Sequence, residues 1–210
     1  MPLEPGDARP AGSRASMPDG VLVGRARAGE AWAFGELYER HADRVYRFLR
    51  FRLWDSAMAT DLTQDVFVSA LRHLAELRRP ERFASWLMQI AHHRLLNHWQ
   101  QAGSRPAQLA LDDPGEEVGR EATAFSSDPA LVDLADVADA VGRRLDLARL
   151  LSETRHLTDE QQQVLGLRFA AGLSVAETAA AMGKGEPAVK QLQHRAITRL
   201  RARLGEGGMA

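Results

Sequence analysis

The sequence predicts an all-α protein of two small helical domains joined by an acidic flexible linker. Apolar residues recur at spacings of three and four along most of its 210 residues. No segment alternates apolar and polar residues between turn signals, as a half-buried strand would. Near the C-terminus two stretches have the form of helix-capping boxes, each closed by a glycine. Between the helical halves, residues 104–128 turn to glycine, proline, serine and acidic residues.

Residues 1–18 are rich in Pro, Gly, Ala, Ser and Arg and read as a disordered tail. The first domain spans 19–103. Asp19 is placed to cap a short helix that ends at Gly29. Phe34, Leu37, His41, Val45, Phe48 and Arg52 trace one face of a long helix, with Trp32 and Tyr38 beside it. Asp55 is placed to cap a third helix, on which Leu62, Val66, Ala70 and Leu74 repeat at four. Phe83, Trp86, Leu87, Ile90 and Ala91 form the apolar face of a fourth. After the linker, Asp128-Pro129 opens the second domain, which runs from 129 to 204 and is followed by a short tail, 205–210. Leu131, Leu134, Ala138, Val141, Leu145 and Ala148 continue at helical spacing.

The last fifty residues are the most informative. Thr158 to Gln161 and Ser174 to Glu177 each place a hydroxyl and, three residues on, a Gln or Glu able to reach back. Gly172 and Gly183 supply left-handed stops, and Pro187 sits in the first turn of the final helix. From Pro187 to Leu204 there are five cations and no acidic residue. Val189, Leu192, Ala196, Leu200 and Leu204 make a stripe to bury, while Lys190, Gln191, His194 and Thr198 fall on another face. Together these outline a helix-turn-helix. Lys and Gln suit base edges, and Arg195 and Arg199 suit phosphates. A basic run alone would read as a solvated helix face; the paired capping boxes and the glycine turn favour DNA.

Bulk properties narrow the class. Hydrophobic residues make up 45% of the chain, and nothing approaches 18 consecutive apolar residues. No signal peptide is visible, so a cytoplasmic protein without membrane insertion is expected. The absence of cysteine removes disulfides and thiolate metal sites. The net charge of −1 divides into a +2 first domain, a −5 block over 104–151 and a +2 C-terminal block. So small a cationic excess does not support tight independent DNA binding, and another molecule must bring the protein to DNA.

Two blocks resemble one family. The first comprises Phe34 to His41 (FGELYERH), Asp61 to Phe67 (DLTQDVF) and Phe83 to Ala91 (FASWLMQIA). The second runs from Gln161 to Arg201 and includes Ala188 to Ala196 (AVKQLQHRA). In this order, across an acidic linker, they resemble regions 2 and 4 of the extracytoplasmic-function (ECF) sigma factors, the compact branch of the sigma-70 family of bacterial transcription initiation factors. The resemblance covers 19–103 and 129–204.

The resemblance implies a promoter-specificity subunit that works by contacts, not an enzyme, with no cofactor. Its partners would be core RNA polymerase (the β′ clamp and the β subunit), promoter DNA and an anti-sigma factor. Asp61, Gln64 and Asp65, at i, i+3 and i+4, would dock on the β′ clamp; outside the family context they read as a solvated acidic face. Leu77 to Phe83 (LRRPERF) matches the loop that captures a flipped base of the −10 element, so Arg78, Arg79 and Arg82 would hold phosphates. His92, His93, Asn97 and Trp99 would line the opening strand, whereas Trp86 reads as core. Lys190, Gln191, His194, Arg195, Thr198 and Arg199 would contact the −35 element. The linker carboxylates would enter a polymerase channel, or merely keep the linker extended. The family's Arg run after region 2.4 is replaced by Gln100, Gln101, Ala102 and Gly103, which implies weaker phosphate contact there and a more demanding promoter choice.

Two other classes remain. A conventional helix-turn-helix regulator bound to an operator explains 157–204 but leaves Phe34 to Gln101 without a role. A metalloenzyme built on His92, His93 and His98 is disfavoured: neighbouring helical side chains diverge by about 100°, and no carboxylate motif completes the set.

Overall fold

The computed structural model describes residues 16–53, 55–101 and 152–206. Most of the expected tail, the 104–128 linker, the helix expected from 129 and the last four residues lie outside the described residues. Seven α-helices are described: α1 (Asp19–Arg27), α2 (Ala31–Leu53), α3 (Ser56–His73), α4 (Phe83–Gln101), α5 (Asp159–Leu165), α6 (Val175–Met182) and α7 (Glu186–Glu206). Among the described residues there is no strand.

The first domain is α1 to α4. Of the face expected from the spacing, α2 buries Leu37, His41, Val45, Phe48 and Arg52, with Ala33 and Leu49 beside them, while Phe34 is half-buried. Asp55 caps α3, its carboxylate accepting from the N–H groups of Ala57 (2.9 Å) and Met58 (3.1 Å). Asp19 does not cap α1. Pro18 holds that position without a side-chain bond, and Asp19 is the first helical residue. Its carboxylate turns inward instead, 2.7 Å from His41 Nε2 and 3.2 Å from Arg40. A buried imidazole without a partner outweighs an exposed helix end that water can satisfy.

Between α3 and α4 the chain makes two 3-10 turns, Leu74–Glu76 and Pro80–Arg82. Arg27, at the end of α1, reaches across and donates to the Leu74 carbonyl from Nε (3.0 Å) and Nη2 (2.8 Å), and to the Leu77 carbonyl. Leu77 and Phe83 are buried at either end of this loop, while Arg78, Arg79 and Arg82 stay exposed.

In the second domain both capping boxes form with reciprocal bonds, Thr158 with Gln161 and Ser174 with Glu177. Gly172 (φ +68°) and Gly183 (φ +64°) take the left-handed conformation expected of them. The helix begun at Asp159 is not regular to its end, however. Gly166–Ala170 forms a π turn, closed by the Ala171 N–H on the Gly166 carbonyl at 2.8 Å. On a straight helix, residues seven apart share a face. The wider turn breaks that phase, so Val164 and Leu165 join α7 in one core while Leu167 and Ala171 join the first domain in another.

The two domains therefore pack together. Leu167, Ala171, Leu173 and Ala181 belong to the same buried cluster as Phe48, Leu87 and Leu95. Helix α6 lies on α4, where Gln89 donates to the Ala180 carbonyl at 2.8 Å, and the π turn lies on α2. Gly166 sets the approach: a Cβ there would stand 3.0 Å from Phe48 Cδ2 and 3.2 Å from Phe51 Cδ1. Because the Phe48 ring is fully buried and cannot give way, Gly166→Ala is expected to destabilise the chain by about 1–3 kcal/mol. A lowered thermal unfolding midpoint, followed by circular dichroism, is the check.

Candidate nucleic-acid interface

The helix-turn-helix presents the surface expected of α7. Lys190, Gln191, Arg195 and Thr198 are exposed; His194 and Arg199 are half-buried. Beneath them Val189, Ala196, Ile197 and Leu200 are buried against Val164, Leu165 and Ala179. Leu192 and Leu204 of the expected stripe are only half-buried, and Gln193 takes a buried place instead. Arg168, in the π turn, donates from Nε to Gln193 Oε1 at 3.2 Å and from Nη1 to the Leu173 carbonyl. That guanidinium ties α7 to the strand of chain entering α6, and so sets the angle between the two helices. The pattern of Gln193 was hidden because a buried amide carries no hydropathy signal; its partner lies 25 residues away. Glu177 closes the α6 box. Burial pushes its carboxyl up, but hydrogen bonds from Ser174 outweigh that and hold it below the usual value, with Arg44 and His41 assisting.

The residues expected at the −10 element divide into two groups. Arg78, Arg79 and Arg82 are exposed on the loop, and His93 and Asn97 are exposed on α4. His92 is half-buried and Trp99 is only 7% exposed. Trp86 is half-buried, its ring 6.0 Å from that of Phe83, as a residue at the core's edge.

Trp99 is covered by Arg52, whose guanidinium carbon stands 4.9 Å from the ring centroid. Arg52 is itself 5% exposed and pairs through Nη2 with Asp159, the first residue of α5. Its Nε and Nη1 have no hydrogen-bond partner, nor does His92 Nδ1. Burial foremost pushes His92 down to about 4; the Asp159 carboxylate opposes this, while Arg52 and His93 add to it. Sequence reasoning placed Arg52 on the buried face of α2 but assigned it no role. Its signal was a cation at the end of an otherwise apolar stripe.

On α3, Asp61, Gln64 and Asp65 are exposed on one face. The same face continues through Val68 and Leu71, which are 47% and 54% exposed. An acidic half is thus followed by an apolar half, the second of which had not been singled out in the sequence. Among the described residues no group of three His, Asp or Glu side chains is placed to hold a metal, and no helix is long and apolar enough to cross a membrane.

The His92 environment has a measurable consequence. A half-buried imidazole whose folded value lies below its ordinary 6.5 stays neutral down to about pH 4, and acid favours any state that uncovers it. In a two-dimensional NMR titration of the free chain, the His92 ring is expected to show a midpoint near 4. A midpoint at the ordinary value would contradict the cover.

Comparison with known proteins fits this geometry. The sigma-70 region 2 family matches residues 37–105 and the sigma-70 region 4 family matches residues 155–202. An ECF RNA polymerase sigma factor of Streptomyces coelicolor, BldN, is 40% identical over 193 residues, which cover 91% of this chain and 68% of that protein. The structure of CnrH in complex with the cytosolic domain of CnrY superposes with a TM-score of 0.65 at 23% identity, over 90% of this chain and 99% of that one. The sigma factor RpoE from Bartonella quintana, solved with the anti-sigma factor NepR, gives 0.57 at 20% identity, over 82% and 96%. The two structures share the fold, and the sequence match, in order and across both domains, goes further: the chain belongs to the ECF sigma factors of the sigma-70 family, the subunits that direct RNA polymerase to promoters and start transcription.

Proposed function

We propose that the first domain docks on core RNA polymerase and engages the −10 element, and that the second reads the −35 element. The observation that carries this division is the placement of two exposed surfaces on separate scaffolds. One is the cationic face of α7; the other is the α3 face of Asp61, Gln64, Asp65, Val68 and Leu71. A conventional operator-binding regulator needs only the first.

Lys190 and Gln191 suit base edges, and Arg195, Thr198 and Arg199 suit the phosphates flanking them, with His194 between. Arg78, Arg79 and Arg82 frame a loop whose ends are fixed by Leu77 and Phe83, an arrangement suited to holding the backbone around an extruded base. His93 and Asn97 extend that surface along α4. The α3 face offers carboxylates to cationic partners and then an apolar patch, the combination of polar rim and apolar centre found in protein interfaces. This reading involves no bond-making chemistry by the chain, places its work in the cytoplasm, and includes an anti-sigma factor as regulator, the class of partner seen on the Bartonella quintana relative.

Co-elution with bacterial core polymerase, followed by run-off transcription on a genomic promoter pool, tests the whole reading. Polymerase-dependent start sites sharing a two-part motif are expected; tight binding to duplex DNA without polymerase binding would replace it with the operator-binding alternative. Two substitutions separate the roles. Lys190→Ala is expected to lower transcription from the cognate promoter about 5- to 150-fold, the worth of a base contact of about 1–3 kcal/mol, while co-elution is kept. Asp61→Arg with Asp65→Arg is expected to weaken co-elution by about tenfold or more, since like charges facing one another in an interface cost several kcal/mol. Duplex binding by the isolated chain should not change in that variant.

A further inference from the structure

The −10 surface is only partly open in this arrangement, and the second domain caps it at Arg52. His93 and Asn97 face water on α4, but Trp99 lies under Arg52, and Arg52 is held by Asp159 at the start of α5. The site thus consists of a guanidinium lying over an indole, with an imidazole nearby, and among the described residues the anion paired with it comes from the other domain.

The hydrogen bonding at Arg52 is incomplete in an informative way. A guanidinium offers five donors in a rigid fork that matches carboxylate or phosphate on two prongs at once. Asp159 engages Nη2 alone, leaving Nε and Nη1 buried and empty. Leaving such donors unpaired out of water is unfavourable, so the site fits a larger oxyanion better than the carboxylate it holds. A phosphate supplies the extra acceptors, and the Trp99 ring beneath the guanidinium supports it in position to receive them. Charge points the same way: Arg52 is the cation at the site, the neighbouring His92 is held neutral, and Asp159 is the acidic group that answers the guanidinium.

We propose that Asp159 stands in for a phosphate of the single-stranded promoter on Arg52 and Trp99, so that the free chain masks part of its own DNA surface and uncovers it when the domains separate. This rests on the assignment of α4 to the −10 strand. Arg52 is then a DNA-binding residue in the open form and a latch in the closed one.

Breaking one ion pair from its two ends should therefore have opposite effects on DNA, which a purely structural pair would not produce. The probe is a fluorescein-labelled, mixed-sequence 12-nucleotide single-stranded DNA, titrated with the full chain at low salt. Asp159→Asn is expected to bind it about fivefold or more tightly than the wild type, as removal of a competing internal anion requires. Arg52→Ala is expected to bind it more weakly than the wild type, although it breaks the same pair. Arg52→Lys, which keeps the charge but not the fork, serves where the alanine variant fails to fold, and it too is expected to bind more weakly. The chain has no cysteine, so spin labels at Ala75→Cys and Ala202→Cys report the domain distance cleanly. That distance is expected to lengthen when the oligonucleotide binds. Asp159→Asn binding no tighter, either Arg52 variant binding more tightly, or an unchanged distance with DNA bound would each overturn the proposal. Run-off transcription by the wild-type chain with core polymerase keeps the two readings apart. If it fails, the promoter assignment fails; if it succeeds while Asp159→Asn gains nothing, the mask alone is wrong.

Discussion

The two domains meet at a backbone position with no room for a side chain. At Gly166 the chain comes to rest against the rings of Phe48 and Phe51, and no other residue type fits there without displacement. Much of the arrangement follows from that contact. It lets the π turn lie on α2 with Leu167 and Ala171 in the first domain's core, and Asp159 then stands within reach of Arg52. The second domain keeps a cluster of its own and also contributes to that of the first.

Sharing a core has a cost in independence. Apolar burial is non-directional and strong, so a shared cluster tends to hold the domains in one arrangement. A subunit that must place two surfaces on separated DNA elements needs that arrangement to be reversible. Among the described residues, the polar contacts of the interface include a hydrogen bond from the Gln89 amide to the Ala180 carbonyl and an arginine with two donors unanswered, features of a junction of moderate strength. A buried pair with incomplete hydrogen bonding contributes little net stability while remaining sensitive to the loss of either partner.

How much was legible in the sequence follows from the range of each interaction. Capping boxes, left-handed glycines and the Asp55 cap are satisfied within four residues, so their sequence signatures became structure unchanged. The faces of α2 and α7 were legible as stripes for the same reason. Asp19 was misread because its competing partner, His41, lies 22 residues away. The π turn left no trace in the pattern; the rings it packs against, Phe48 and Phe51, lie more than a hundred positions earlier. Gln193 and Arg52 are polar residues buried for non-local reasons, and a hydropathy pattern reads them as surface or as anomalies. Of the candidate site, the exposed side chains were recognisable by type and spacing; which of them another domain covers was not.

The clamp that Arg27 makes on the Leu74 and Leu77 carbonyls bears on how variants of this protein would present themselves. The loop that follows is tethered at its root by a side chain some fifty residues upstream, so much of its shape is settled before any nucleic acid arrives. Ordering a free loop during binding would subtract from affinity; here that entropy is already spent in folding. With the loop on promoter DNA as proposed, a lesion at Arg27 would therefore mimic a defect in promoter reading by altering the loop's shape. Genetic screens for specificity residues would recover it, and only the geometry of the loop would reveal that it acts on shape.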